Sequence, residues 1–283
     1  MGISKDLRPF TRLRHYCRTI AAAKFWVVLG ILNWGAATVE AQERGADPQV
    51  PILVYHRFGA VVADTMTITT ATFAAHLRYL HEHGYTITPL RQFVRYRQGL
   101  AETLPPRAVI LTVDDAHKSV YTDMLPLVKQ YQIPVTLFVY PSAISNASYA
   151  MTWEQLRELH ATGLFDIQSH TYWHPKFTRE KRRRSAADYR QFVAMQLLRA
   201  KEILQDKLHN EVDLLAWPFG LYDEELMEIA QQTGYVAAFS IDRRHASTRD
   251  PIMALPRYLL TAGDRGKVFE RLVAVPSHDA TRK

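Results

Sequence analysis

The sequence predicts an α/β protein built as an irregular (β/α)7-type barrel. Short apolar runs rich in Val, Ile and Leu recur along the chain and read as buried parallel strands, while the segments between them carry helical periodicity. Six or seven such strand-plus-helix units fall in one stretch, which suits one barrel better than two small domains. Polar residues able to do chemistry stand just after several of the runs, and a barrel gathers those strand ends on one face. No internal repeat, low-complexity tract or coiled-coil heptad breaks the pattern.

At 283 residues, 47% hydrophobic and 22% charged, the chain is long enough for a sizeable core and too apolar for a disordered one. Its formal net charge of +7 is unevenly spread. Residues 1–41 hold six basic and two acidic side chains, whereas the remainder holds 29 basic and 26 acidic ones. The positive excess is thus partly N-terminal, and no nucleic-acid partner is expected. Residues 1–41 read as a targeting segment, with basic side chains as far as Lys24, an apolar run from Phe25 to Leu32, and small residues leading to Val39-Glu40-Ala41. The apolar run is short for a membrane span, although an uncleaved anchor is the alternative to a cleaved signal peptide. Cys17, the one cysteine, lies inside this segment, so the mature chain would have no disulfide and no thiol chemistry, which suits export. The expected organisation is a signal peptide or anchor over 1–41, a polar linker over 42–50, one folded domain over 51–275 and a tail over 276–283. The expectation is an exported monomer, periplasmic or secreted, touching the membrane or envelope only if the N-terminus is retained.

Residues 51–56 (PILVYH) read as a short strand ending in His56. A loop is expected over 57–68. Thr70 or Thr72 could cap a helix carrying Phe73, Leu77 and Leu80 on one face, with Gly84 as its stop. Residues 90–98 suit a second helix. Residues 109–113 (VILTV) form the clearest strand and run into Asp114-Asp115. A helix over about 119–131, a strand over 133–140 and a capped helix over 152–160 follow, closed by Gly163. Residues 165–168 read as a strand running into Ser169-His170, and 186–208 as a long helix. Residues 213–216 read as a strand before Trp217-Pro218-Phe219-Gly220. Then come a helix over 223–233 stopped by Gly234, strands over 236–241 and 258–261, and a last helix over 267–274.

An unpaired carboxylate is costly in a strand interior, so Asp114 and Asp115 either open a surface loop or mark a site at a strand's C-terminal end. His170 and His174 stand three residues apart in SHTYWHP, in a loop and not on a helix. Two imidazoles and one carboxylate suit Zn²⁺ or a similar divalent ion, although chance pairs are expected among twelve histidines. Tyr140, Tyr172, Trp173 and Trp217 lie at strand ends or in neighbouring loops, where they either stack on sugar rings or belong to the core. The basic run over 179–184 reads as a solvated helix start or a contact for an anionic polymer or membrane phosphates. Asn146-Ala147-Ser148 fits a glycosylation sequon by chance.

Three segments in this order resemble the motifs of the NodB-homology polysaccharide deacetylases, carbohydrate esterase family 4. Thr112-Val113-Asp114-Asp115 is similar to the first, His170-Thr171-Tyr172-Trp173-His174 to the second and Ala216-Trp217-Pro218-Phe219 to the third. The third lacks the family's Arg, and Val113 replaces its Phe. The resemblance spans about 51–262 and is nearest to the permuted poly-β-1,6-N-acetylglucosamine N-deacetylases, whose first strand supplies a histidine, here His56. It implies a divalent metal, most readily zinc, with nickel or cobalt as alternatives, held by Asp115, His170 and His174. By the same resemblance Asp114 is the general base, His56 the general acid, and the Phe219 N–H an oxyanion donor. Trp217 and Tyr172 would touch substrate. Arg257 would orient Asp114 in place of the missing Arg, and Asp242 would support the site from behind. The implied reaction removes N-acetyl groups from an extracellular or cell-envelope polysaccharide, most readily poly-N-acetylglucosamine, with peptidoglycan or chitin oligomers as rival substrates. Glycoside hydrolysis needs carboxyl groups facing each other across the sugar bond, and two sequence neighbours are badly placed for it. A carbohydrate-binding scaffold without catalysis is the remaining alternative.

Overall fold

The structure, a computed structural model, describes residues 47–101 and 103–274. The leader with Cys17, most of the 42–50 linker and the tail lie outside the described residues. Among the described residues, no helix is long and apolar enough to cross a membrane.

The chain runs β1 (Ile52–Tyr55), β2 (Arg57–Gly59), β3 (Thr67–Thr69), α1 (Thr70–Glu82), β4 (Thr86–Ile87), α2 (Leu90–Arg97) and β5 (Ala108–Asp114). A π-helical turn, Val120–Met124, leads into α3 (Leu125–Tyr131), then β6 (Val135–Val139), α4 (Trp153–Ala161), β7 (Phe165–Ser169), α5 (Phe177–Lys181) and α6 (Ala186–Leu208). The rest is β8 (Leu214–Ala216), α7 (Glu224–Gln232), β9 (Ala237–Phe239), β10 (Tyr258–Leu259) and α8 (Lys267–Val273). Helix starts follow the side chains that can satisfy free N–H groups. Thr69 caps α1, one residue before the expected Thr70. Thr152 and Gln155 form a reciprocal capping box on α4, Ser185 caps α6 and Asp223 caps α7. The expected loop over 57–68 instead contains β2 and β3, which pair only with each other. Three-residue strands are too short to show a period-two pattern in sequence. β4 and α5 escaped notice for the same reason.

The main sheet has the order β10-β1-β5-β6-β7-β8-β9, with β4 attached to β5 and every pairing parallel. It curls into a partly open barrel. The stretch before β10 spans the seam: Leu255 bridges Phe239 at the end of β9, and Tyr258 then pairs with Leu53 of β1.

Strand side chains alternate between the barrel interior and the helix-facing surface. Ile52, Ile110, Phe138, Leu214, Ala216, Ala237, Phe239 and Leu255 belong to an interior cluster with Phe93 and Val94 of α2. Leu53, Tyr55, Val109, Leu111, Val113, Leu137, Val139 and Ile167 point the other way and pack with α1, α3, α4 and α8. Extending the interior register in steps of two residues places His56, Asp114, Tyr140 and Arg257 at the barrel mouth. The same parity sends Trp217 outward with Leu215, into a third cluster with Phe177, Tyr189 and Val193.

His76 is a buried titratable group away from the mouth. His76 on α1 is stacked on Phe269 at 3.7 Å, with Nε2 2.8 Å from the Asp264 carbonyl oxygen and Nδ1 3.2 Å from the Tyr55 hydroxyl. Nε2–H donates to the carbonyl and the hydroxyl donates to Nδ1, so the ring is neutral. Burial pushes its pKa down from 6.5 to about 4. The unfolded chain therefore binds this proton first as pH falls. Stability is fully present above about pH 6.5 and is lost toward pH 4, by roughly 3 kcal/mol in all. Denaturant midpoints of the wild type should fall more steeply than those of His76→Gln between about pH 7 and 4.5. Parallel pH profiles would show that this ring does not titrate with folding.

Candidate active site

Asp114 ends β5 on the interior face and is 2% exposed, while Arg257 is fully buried. Arg257 donates from Nη1 and Nη2 to the two carboxylate oxygens at 2.9 and 2.7 Å. Its remaining contacts run to the Ser240 carbonyl (Nε, 3.0 Å) and the Thr112 hydroxyl (Nη1, 3.2 Å). Burial alone would raise the Asp114 pKa; the guanidinium overrides it and holds the carboxyl down to about 2. Asp114 is therefore anionic and fixed in orientation.

Asp115 departs from the strand with φ of 71° and diverges from Asp114. Its Oδ1 lies 3.6 Å from Nε2 of His170 and 3.9 Å from Nε2 of His174. The donor atoms of these three residues all fall within 4.8 Å of one another. His170 follows β7, and its Nδ1 donates to the Ala216 carbonyl at 2.8 Å, which leaves Nε2 with a free lone pair. Burial keeps both imidazoles neutral, pushing His170 down to about 3 and lowering His174. Burial also raises the Asp115 carboxyl, outweighing the lowering by His56, Arg57 and Arg257. Two neutral imidazoles and a carboxylate with converging lone pairs fit a divalent ion of the zinc type.

His56 follows β1. The register Tyr55↔Val113 makes the next pair His56 and Asp114. Its Nδ1 is buried without a hydrogen-bond partner. Burial lowers its pKa, while the charges of Asp114 and Asp115 pull the other way. Phe219, with φ of 58°, is half exposed and sets its ring 4.6 Å from that of His174. Gly220 is required there, because a Cβ would lie 2.2 Å from Ile241 Cγ1 at a φ of +66°.

Trp217 does not meet the expectation of a substrate contact. It is fully buried, donating from Nε1 to the Met253 carbonyl at 2.8 Å, because strand parity turns it toward the helices. Tyr172 is half-buried, with the Arg199 guanidinium 4.2 Å over its ring. Asp242 is exposed and accepts from the Ser240 and Tyr222 hydroxyls. Its link to the site runs through Ser240, whose carbonyl holds Arg257. Of the basic run, Lys181 pairs with Asp223 and Glu225, and Arg184 with Glu180. Sequence reasoning missed two groups at the rim. Tyr149 shares a 2.5 Å hydrogen bond with Tyr140, and the charge of Arg57 reaches Asp115 and His56. Neither carries a local signal beyond its neighbourhood to a strand end.

The fold is the α/β, NodB-like deacetylase fold. Residues 101–238 match the family model described as polysaccharide deacetylase. A Bacillus subtilis protein provisionally named as a polysaccharide deacetylase, YxkH, is 27% identical over 225 residues, covering 78% of this chain and 75% of that protein. The poly-β-1,6-N-acetyl-D-glucosamine N-deacetylase of Staphylococcus epidermidis is 25% identical over 213 residues, covering 73% and 71%. Among solved structures, the Streptococcus pyogenes deacetylase PplD in complex with acetate superposes with a TM-score of 0.72 at 20% identity, over 81% of this chain and all of that one, which shows the fold.

Removing one partner of a buried ion pair leaves an uncompensated charge, at a cost of about 3–5 kcal/mol. Arg257→Met should lower the unfolding free energy of the metal-free protein by about that amount, and Asp114→Asn in the same chain should recover part of it. Urea titrations measure both; a loss under about 1 kcal/mol would mean that water reaches Asp114 once the guanidinium is gone.

Proposed function

We propose that this chain is a metal-dependent hydrolase that removes N-acetyl groups from N-acetylglucosamine units of an extracellular or cell-envelope polysaccharide, with poly-β-1,6-N-acetylglucosamine as the polymer. The observation that carries the reading is the convergence of Asp115, His170 and His174 beside an anionic Asp114 at the barrel mouth. The polymer is supported by the similarity to the Staphylococcus epidermidis enzyme. Zinc is the metal proposed, with nickel or cobalt as substitutes. The protein acts as an exported monomer, periplasmic or secreted, or attached to the membrane through its N-terminus.

A divalent ion held by Asp115, His170 and His174 would supply Lewis acidity toward the amide carbonyl and raise the acidity of the attacking water. Asp114 takes the proton of that water. A carboxylate held at a pKa near 2 is a weak base, so it depends on a proton donor that has been made acidic. Arg257 keeps both its oxygens in place. The Phe219 N–H donates to the developing oxyanion, next to His174. His56, once protonated, hands that proton to the leaving amine as the C–N bond breaks, giving acetate and a free amino sugar, and the proton that Asp114 took from water is passed on to restore it. Burial keeps the resting ring neutral, and the carboxylates beside it favour its protonation. Asp242 braces Arg257 through Ser240, and Tyr172 and Phe219 border the sugar.

Acetate release from poly-N-acetylglucosamine, chitin oligomers and peptidoglycan tests the reading. Exhaustive chelation should abolish release and Zn²⁺, Co²⁺ or Ni²⁺ should restore it; release that survives chelation contradicts the proposal. Asp114→Asn should keep the metal and lose about 10²-fold or more in kcat, since general acid–base groups contribute on that scale. His56→Ala should slow turnover by a similar factor with metal content unchanged, and a wild-type rate would assign the acid elsewhere.

A further inference from the structure

The loop between the two histidines is held by α6. Its backbone is demanding, because Thr171 and His174 both take positive φ (65° and 60°). Non-glycine residues stay in that region only where their surroundings over-determine it. The Thr171 N–H donates to the Ser169 hydroxyl and the His174 N–H to the Thr171 hydroxyl, both at 3.2 Å, and the Tyr172 carbonyl accepts from the Ser142 N–H at 3.1 Å. The Trp173 N–H donates to Oε1 of Gln196 at 3.1 Å.

Gln196 is unusual for its place. It is fully buried in mid-helix, between Val193 and Leu197, on the face that packs into the core. An amide buried there is costly unless it is hydrogen-bonded. Its Nε2 has a weak contact, the Met195 sulfur at 3.7 Å, so the bond to Trp173 is the one strong interaction recorded for the side chain. Phe192 and Arg199, four residues before and three after, share that side of the helix. Phe192 meets the Trp173 ring edge-on at 5.9 Å, and Arg199 covers Tyr172. Three side chains of α6 therefore grip two of the three residues between His170 and His174, Tyr172 and Trp173.

We propose that Gln196 is a positioning residue that fixes the backbone of Trp173 and thereby aims His174 at the ion shared with Asp115 and His170. This rests on the metal-centre reading above. Groups that orient metal ligands from behind typically change metal affinity by 10- to 100-fold.

Gln196→Met keeps the length and removes the acceptor oxygen; Gln196→Glu keeps an acceptor oxygen. Three measurements decide: zinc affinity by competition with a chromogenic chelator, the visible spectrum of the Co²⁺ form, and hydrogen exchange of the segment 170–176 in the metal-free protein. Gln196→Met should melt near the wild-type temperature, bind zinc about tenfold or more weakly, shift the cobalt bands and exchange faster at Trp173. Gln196→Glu should return toward wild type on all three. Zinc affinity within about twofold of wild type together with unchanged exchange, or a Glu variant no better than the Met variant, overturns the proposal. A wild type that binds no zinc overturns the metal-centre reading and this role with it, and the metal-free exchange then shows separately whether Gln196 holds the loop.

Discussion

Asp114 and Arg257 lie out of water as a two-pronged ion pair, and several strands depend on where that pair sits. The carboxylate closes β5, while the guanidinium hangs from the stretch that bridges β9 and pairs with β1. Through Nε and Nη1 it also holds the Ser240 carbonyl behind β9 and the Thr112 hydroxyl in β5. Such pairs add little net stability, because desolvation of both ions offsets their attraction. Their consequence is positional. The same guanidinium that orients Asp114 thus also touches both sides of the seam.

Much of this was legible from strand parity. Once the interior cluster fixes which residues of each strand face inward, counting on in steps of two selects His56, Asp114, Tyr140 and Arg257. It also rejects Trp217, which sits in register with Leu215. The sequence therefore held the correction to its own expectation: a Trp at a strand end looks like a sugar platform until its parity is counted. Pro218 and the left-handed Phe219 then reverse the direction, so the next aromatic residue, not the Trp, reaches the mouth.

Other features had no local signature. β2 and β3 are three residues each and pair only with one another, so neither composition nor period marks them. The roles proposed for Arg257 and His56 rest on resemblance, since a Pro-Arg pair and a strand-terminal His say nothing by themselves about a partner far away in sequence. The positive φ values at Asp115, Thr171 and His174 are uncommon away from glycine, most of all at a β-branched Thr, and nothing in the local sequence marks them. Gln196 did leave a trace, as an amide on the apolar stripe of a long helix. That pattern announces a buried polar partner without naming it.

Two neighbouring carboxylates acquire different chemistry here because their counter-charges differ. Asp114 has its cation built into the chain, which keeps it ionised and immobile. Asp115 faces two imidazoles that burial keeps neutral, and its carboxyl is raised rather than lowered. Arg57, whose charge reaches it, is already paired with Asp64. Neutral rings offering lone pairs are poor partners for a carboxylate but good co-ligands for a cation. A cation that accepts nitrogen as well as oxygen donors fits the converging atoms of Asp115, His170 and His174, whereas the guanidinium already answers the charge of Asp114.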